Sequence, residues 1–279
     1  MKLINQSCEI VNQELFNLID IKKAVEQAAR VSYLSWNKTT EISYIDFVNR
    51  LISNKEYRPL EFGTVHLKIK GLDNLQDLVK AISFQNKWNP LWIHYNVVDG
   101  TCYCTLNYRY YLELFPEFPI EKYYTEEDNE YYPKRYTIHF TIARGILDEF
   151  RTHIGFSHMA SSTRYCNYSK DKFGNELTFI KPNWYKGSYE PDTIYENNDT
   201  RSNYFNKSCE DAEKWYLELL KEGCKPQEAR EVLPLSIESH LFMCGFADMW
   251  KNFFKLRCAN SAHPMAREIA LEAQKKLGL

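Results

Sequence analysis

Between positions 19 and 33 the chain reads I-D-I-K-K-A-V-E-Q-A-A-R-V-S-Y. Its apolar members Ile21, Ala24, Val25, Ala28 and Val31 recur at the spacing of one helical face. Positions 44–53 repeat that spacing with Ile45, Val48, Leu51 and Ile52, and S-Y-I-D from Ser43 predicts a capping box. The period then changes: Val65, Leu67 and Ile69 alternate with His66, Lys68 and Lys70, as a half-buried strand requires. A second alternation, Tyr136, Ile138, Phe140 and Ile142, predicts a strand over 135–143. It runs into a helix whose apolar side carries Ile146, Leu147, Phe150 and Ile154, with His153 near its end. Helical spacing also spans Asp73 to Phe84, ahead of a Trp- and Tyr-rich region through Leu114. Residues 116–134, with Pro116, Pro119 and Pro133 in an acidic run, read as an exposed loop. Residues 167–206 read as loop that covers a site or meets another subunit. From Ser208 a helix with Ala212, Trp215, Leu219 and Leu220 on one face stops at Gly223, and Pro226 starts a shorter helix that ends at Pro234. Helices interspersed with strands make the fold class α/β (α+β).

Composition narrows the partners more than the fold. At 279 residues and 44% hydrophobic, one large domain or two small ones can bury roughly three quarters of the unfolded surface. A net charge of −2 leaves no basic excess for gripping a phosphate backbone, so no polynucleotide partner is expected. Eight cysteines contain no CxxC pair, which argues against zinc or another metal. The N-terminus lacks a signal-peptide pattern and no apolar run would span a bilayer, so free thiols in a reducing cytoplasm are expected, with no membrane partner.

The candidate chemistry lies in Thr152–Tyr165, T-H-I-G-F-S-H-M-A-S-S-T-R-Y, a small-residue cluster closed by Arg164. Small side chains let backbone N–H groups approach an anion, and a guanidinium fork matches phosphate, so phosphate is the first candidate ligand. A polar surface turn is the plain alternative. The stretch resembles the signature of flavin-dependent thymidylate synthases (the ThyX family), R-H-R-x-x-S followed by S-x-R-Y. His153, Ser157, Ser162, Arg164 and Tyr165 fall on it in register, while Thr152 and Ile154 stand where its outer arginines would be. The runs A-A-R-V-S-Y and P-L-E-F-G-T-V-H-L resemble the same family's N-terminal part. A-R-E-V-L-P-L, the later L-R and A-H-P-M-A-R-E-I-A resemble its C-terminal part, with Phe246 and Asp248 departing from an asparagine and an arginine there. The resemblance covers most of the chain outside 71–134, which looks like an insertion within a single catalytic domain spanning 1–279.

This resemblance implies a mixed sheet flanked by helices and a homotetramer whose sites are shared between subunits. It also implies transfer of a methylene group from methylenetetrahydrofolate to C5 of dUMP, with FAD as cofactor and NADPH as reductant. Carried over residue by residue, the nucleotide would meet Glu149, Ser162, Thr163, Arg164, Arg230 and Arg257, and FAD would meet Ser32, Arg58, Glu61, His153, Gly155 and Asn252. Arg257 is the candidate catalytic residue, because a fixed guanidinium stabilises the negative charge that activates C5. Without the resemblance, Glu61 is a strand-edge carboxylate, His153 a hydrogen-bonded core residue and Arg257 a helix-end cation favoured by the dipole. Two other readings stand beside the first: an enzyme of this fold acting on another pyrimidine nucleotide, for example by hydroxymethylation, and a nucleotide-binding or RNA-contacting homologue that has lost flavin.

Overall fold

A computed structural model describes residues 1–11, 17–71, 73, 76–80, 92–114, 119–189 and 199–279. Helix α1 (Leu18–Arg30), continued by a 3-10 turn over Val31–Tyr33, buries Ile21, Ala24, Val25, Ala28 and Val31 as its spacing requires. Asn17 caps it by accepting the Asp20 N–H at 2.9 Å. Helix α2 (Ser43–Ser53) buries Val48 and Leu51 but leaves Ile45 exposed. Its expected capping box does not form: Ser43 Oγ accepts the Thr40 N–H and donates to Glu26 Oε2, both at 2.9 Å, so the hydroxyl ties α2 to α1.

The strands divide among three sheets. A parallel pair joins β1 (Lys2–Ile4) to β9 (Thr178–Ile180). The first four-stranded antiparallel sheet runs β2 (Ser7–Val11), β7 (Arg135–Ala143), β10 (Glu238–Phe246), β8 (Ser157–Ala160). The second runs β4 (Ile93–Val98), β5 (Thr101–Asn107), β3 (Thr64–Lys70), β6 (Tyr124–Thr125). Both predicted strands are present as β3 and β7, and Val65, Leu67, Ile69, Ile138, Phe140 and Ile142 are buried. Strand β10 had no period to betray it, because L-F-M-C-G-F is covered on both sides: Leu241 and Met243 enter one core, Phe242 and Cys244 another.

The region 71–134 largely builds the second sheet. Residues 116–134 are not simply an exposed loop: among those described, β6 pairs with β3, and Ile120 and Tyr132 are buried. Burial of apolar and aromatic side chains outweighs the loop signal of the prolines. Cys102 and Cys104 pack in the core beneath this sheet. The helix expected from Asp73 is seen at 73 and 76–80, with Leu78 buried, and its remainder falls outside the described residues.

Helix α3 (Tyr108–Leu114) follows β5 directly, and α4 (Arg144–Phe150) follows β7. Helix α4 stops before Ile154, which is 86% exposed rather than on its apolar side. Helix α5 (Thr200–Lys221) begins upstream of Ser208, where Asp199 accepts the Arg201 and Ser202 N–H groups; Cys209, Ala212 and Tyr216 face inward and Trp215 is exposed. Residues 167–206 thus hold β9 and the start of α5 besides loop. A short helix α6 (Pro226–Ala229) passes into a 3-10 turn over Arg230–Val232. Helices α7 (Ala247–Arg257) and α8 (Pro264–Leu277) close the core against α4. Among the described residues no helix is long and apolar enough to cross a membrane.

Candidate active site

The Ser-rich loop leaves β8, and β10 fixes its first residue. Ser161 donates its N–H to His240 O at 2.9 Å and its Oγ accepts the His240 N–H at 3.0 Å. Ser162 donates its N–H to Ser32 O at 3.2 Å, and its carbonyl accepts from Tyr165 and Cys166 at 3.0 and 2.9 Å, which closes a tight turn. Ser162 Oγ accepts the Arg164 N–H at 3.3 Å, and Thr163 Oγ1 accepts from Arg230 Nη1 at 3.3 Å. Arg164 is exposed, with its guanidinium over the Tyr165 ring, which stacks on Tyr33 at 4.7 Å. The Ser162 and Thr163 hydroxyls thus lie on a turn carrying Arg164 and touched by Arg230, side chains whose chemistry suits phosphate, while the N–H groups of Ser161, Ser162, Arg164, Tyr165 and Cys166 are already given to protein acceptors.

A second cluster forms at the C-terminal end of α4. Arg257 donates through Nη1 to Glu149 Oε2 at 2.8 Å, through Nη2 to Glu149 O at 2.7 Å and Thr152 Oγ1 at 3.3 Å, and through Nε to His153 Nε2 at 2.8 Å. His153 must therefore be neutral with its proton on Nδ1. Burial, then the Arg257 charge, pushes its pKa down to about 4. The two clusters share α4: Arg144 in its first turn donates to Ser161 O at 3.4 Å, and Glu149 near its last residue holds Arg257. Five residues of helix put the backbones of Arg144 and Glu149 roughly 7.5 Å apart along the axis.

The remaining candidates are spread over several elements. Arg58 and Glu61 share a 3-10 turn over Arg58–Phe62. Glu61 is buried rather than at a strand edge: Oε1 accepts from Arg109 Nη1 and Oε2 from Ser157 Oγ, both at 2.8 Å. Gly155 lies against Met249 of α7, one turn before the exposed Asn252. Ser32 sits with Ser162, away from Glu61 in the hydrogen-bond network. Thr152 donates its hydroxyl to Glu149 O at 2.7 Å and Ile154 faces solvent, so neither position supplies charge. Arg151 and Arg58 do: after burial, their charges are the next causes that hold His158 down at about 4. Arg58 and Arg151 are thus near enough for His158 to feel their charge, and their cationic chemistry fits a phosphate-bearing cofactor. Phe246 stacks on His94 at 3.9 Å, and Asp248 lies 3.9 Å from the same ring, so both departures from the family pattern serve the contact with β4.

Arg109 and Ser161 belong to these networks and were not singled out in the sequence. Nothing in C-Y-C-T-L-N-Y-R or in the first turn of a helix marks an arginine whose partner lies tens of residues away. Only the Ser-Ser pair hinted at Ser161.

A model of the thymidylate synthase complementing protein family matches residues 134–278. A flavin-dependent thymidylate synthase from Synechocystis sp. is 26% identical over 144 residues, 50% of this chain and 64% of that relative, so the chain spans less than two thirds of the relative's length. Two solved structures of a UMP/dUMP methylase, PolB from Streptomyces cacaoi, bound with 5-Br UMP and 5-Br dUMP, align over 100% of this chain and 91% and 92% of theirs. Both are 16% identical, with TM-scores of 0.46 and 0.44. The family match takes in β7, the signature stretch, Arg230 and Arg257 and extends over more than half of the residues, and the chain belongs to the thymidylate synthase complementing protein family.

Proposed function

We propose that this chain is a flavin-dependent thymidylate synthase that methylates dUMP to dTMP in the cytoplasm, as a homotetramer with shared sites. The observation that carries the reading is the pair of clusters joined by α4: Ser162, Thr163 and Arg164 on one turn with Arg230 reaching Thr163 from another, and Arg257 fixed at the helix end.

In this reading the nucleotide phosphate takes the free valences of the turn. Arg164 and Arg230 supply charge, the Ser162 hydroxyl still has its proton to donate, and this remote binding energy aligns the ring. Arg257 is already oriented by Glu149 and His153, so little reorganisation is needed when negative charge develops on a ring carbonyl. The Glu149 carboxylate, an acceptor only when ionised, suits a ring N–H. Arg58 and Arg151 would meet the cofactor pyrophosphate, with His153, Gly155 and Asn252 on the same side. Reduced FAD, when bound, would supply the hydride that completes the methyl group, NADPH would re-reduce the flavin, and methylenetetrahydrofolate would be the carbon donor.

A second reading, modification of another pyrimidine nucleotide, draws on the uncharged Thr152 and exposed Ile154 at positions where the signature has arginine. Mass-spectrometric product analysis with dUMP and with dCMP, each with methylenetetrahydrofolate and NADPH, separates the two. Formation of dTMP from dUMP supports the first; a product from dCMP alone refutes it.

A further inference from the structure

The segment 71–134 contains an arginine that reaches into the cofactor side of the candidate site. Arg109, in the first turn of α3, uses its fork twice: Nη1 donates to Glu61 and Nε to Glu113, both at 2.8 Å. Its guanidinium also lies 4.9 Å from the Trp92 ring centroid and 5.7 Å from that of Tyr57, and the side chain is 26% exposed. Glu61 is the nexus. One carboxylate oxygen takes Arg109, the other takes Ser157 at the head of β8, and the Glu61 carbonyl accepts from Arg135 Nη2 at 2.5 Å.

The backbone brings these groups together. Tyr108 donates its N–H to Gly63 O at 2.9 Å, docking α3 on the turn that carries Arg58 and Glu61. A Cβ at Gly63 would come within 2.7 Å of Tyr108 Cβ and Ile21 Cγ2, so only glycine allows this approach. Asn107 Oδ1 caps α3 through the Tyr110 N–H at 2.8 Å, which fixes where Arg109 leaves the helix. Glu61 would otherwise be a buried anion with a single hydroxyl partner, an arrangement that cannot hold an ionised carboxylate in one orientation.

We infer that Arg109 is a positioning residue for the cofactor side of the site, holding the Glu61 carboxylate and, through it, Ser157 and the start of β8. The inserted segment is on this account part of the site and not an ornament on it. The inference rests on the proposed flavin dependence, and Arg109 and Glu61 both lie outside the stretch matched by the family.

The test is a titration of FAD into the full-length protein, read by quenching of flavin fluorescence, with a parallel dUMP titration by calorimetry and a thermal melt. Arg109→Gln removes the charge, Arg109→Lys keeps it without the fork, and Glu61→Gln removes the partner. Loss of a charge-assisted bond predicts FAD binding weakened about tenfold to a hundredfold in Arg109→Gln, dUMP affinity changed by less than about twofold, and an intermediate effect in Arg109→Lys. The double variant Arg109→Gln/Glu61→Gln should bind FAD no more weakly than the worse single variant, because the residues act as a pair. Wild-type FAD affinity in Arg109→Gln overturns the inference, and so does an equal loss of FAD and dUMP with a lowered melting point, which marks a purely structural role. A wild-type protein that takes up no FAD instead refutes the proposed function, and the inference falls with it.

Discussion

Replacing Arg257 and Arg164 in turn separates two kinds of work the account assigns to arginine. Arg164 is exposed, with its guanidinium over the Tyr165 ring and its N–H donated to Ser162 Oγ, so its side chain can meet a phosphate whose charge is the same in ground and transition states. Losing one charge-assisted contact of about 1.5–3 kcal/mol should raise KM roughly tenfold to a hundredfold in Arg164→Ala and leave kcat nearly unchanged. Arg257 is held by Glu149, Thr152 and His153 before any substrate arrives, so its energy is realised when charge develops on the ring. Arg257→Ala should therefore lower kcat at saturating dUMP by about a hundredfold to a thousandfold. The Glu149 carboxylate is 34% exposed, so its ion pair with Arg257 is screened and contributes only about 1 kcal/mol or less to stability. Steady-state kinetics on both variants, with circular dichroism to establish folding, make the comparison. If Arg257→Ala raises KM and leaves kcat intact, the guanidinium is a binding group and the assignment of the activating residue is wrong.

Acid should destabilise the fold through histidines kept neutral by burial. His66 and His158 each have a pKa pushed down to about 4, so between that value and the ordinary 6.5 the unfolded chain binds more protons than the folded one. Stability is full above pH 6.5 and is lost as the pH falls towards 4, by about 1.4 kcal/mol per pH unit per histidine; a urea midpoint that stays flat from pH 7 to 5 contradicts this. Gly63→Ala should lower the melting point, since a Cβ 2.7 Å from Ile21 and Tyr108 overpacks the junction by about 1–3 kcal/mol, and an unchanged melt rejects that reasoning. Light scattering at micromolar concentration should report a homotetramer, and a monomer refutes the shared-site assembly.

Periodic elements were legible because one face of each is buried: the α1 stripe and the β3 and β7 alternations needed nothing beyond the sequence. Where a second surface intervenes, the pattern disappears. Strand β10 is apolar throughout because cores lie on both of its sides, and β8 is too short and too rich in small residues to stand out from the loop that follows it. Local polar signals misled where a distant partner competed. Ser43 chose Glu26 over its own helix, and the proline-rich 119–134 stretch is pinned by pairing with β3. At the candidate site, the sequence named the arginines and hydroxyls of the turn. It could not say that Arg257 would be held by the helix preceding the turn, or that Glu61 would be spanned between Arg109 and Ser157, since those contacts join residues 48 to 108 positions apart.

The most direct test of the central claim is release of tritium from C5-tritiated dUMP by the purified protein with FAD, NADPH and methylenetetrahydrofolate. The account predicts release that depends on the folate and is matched by dTMP formation. Protein that binds dUMP but releases no tritium under these conditions contradicts it.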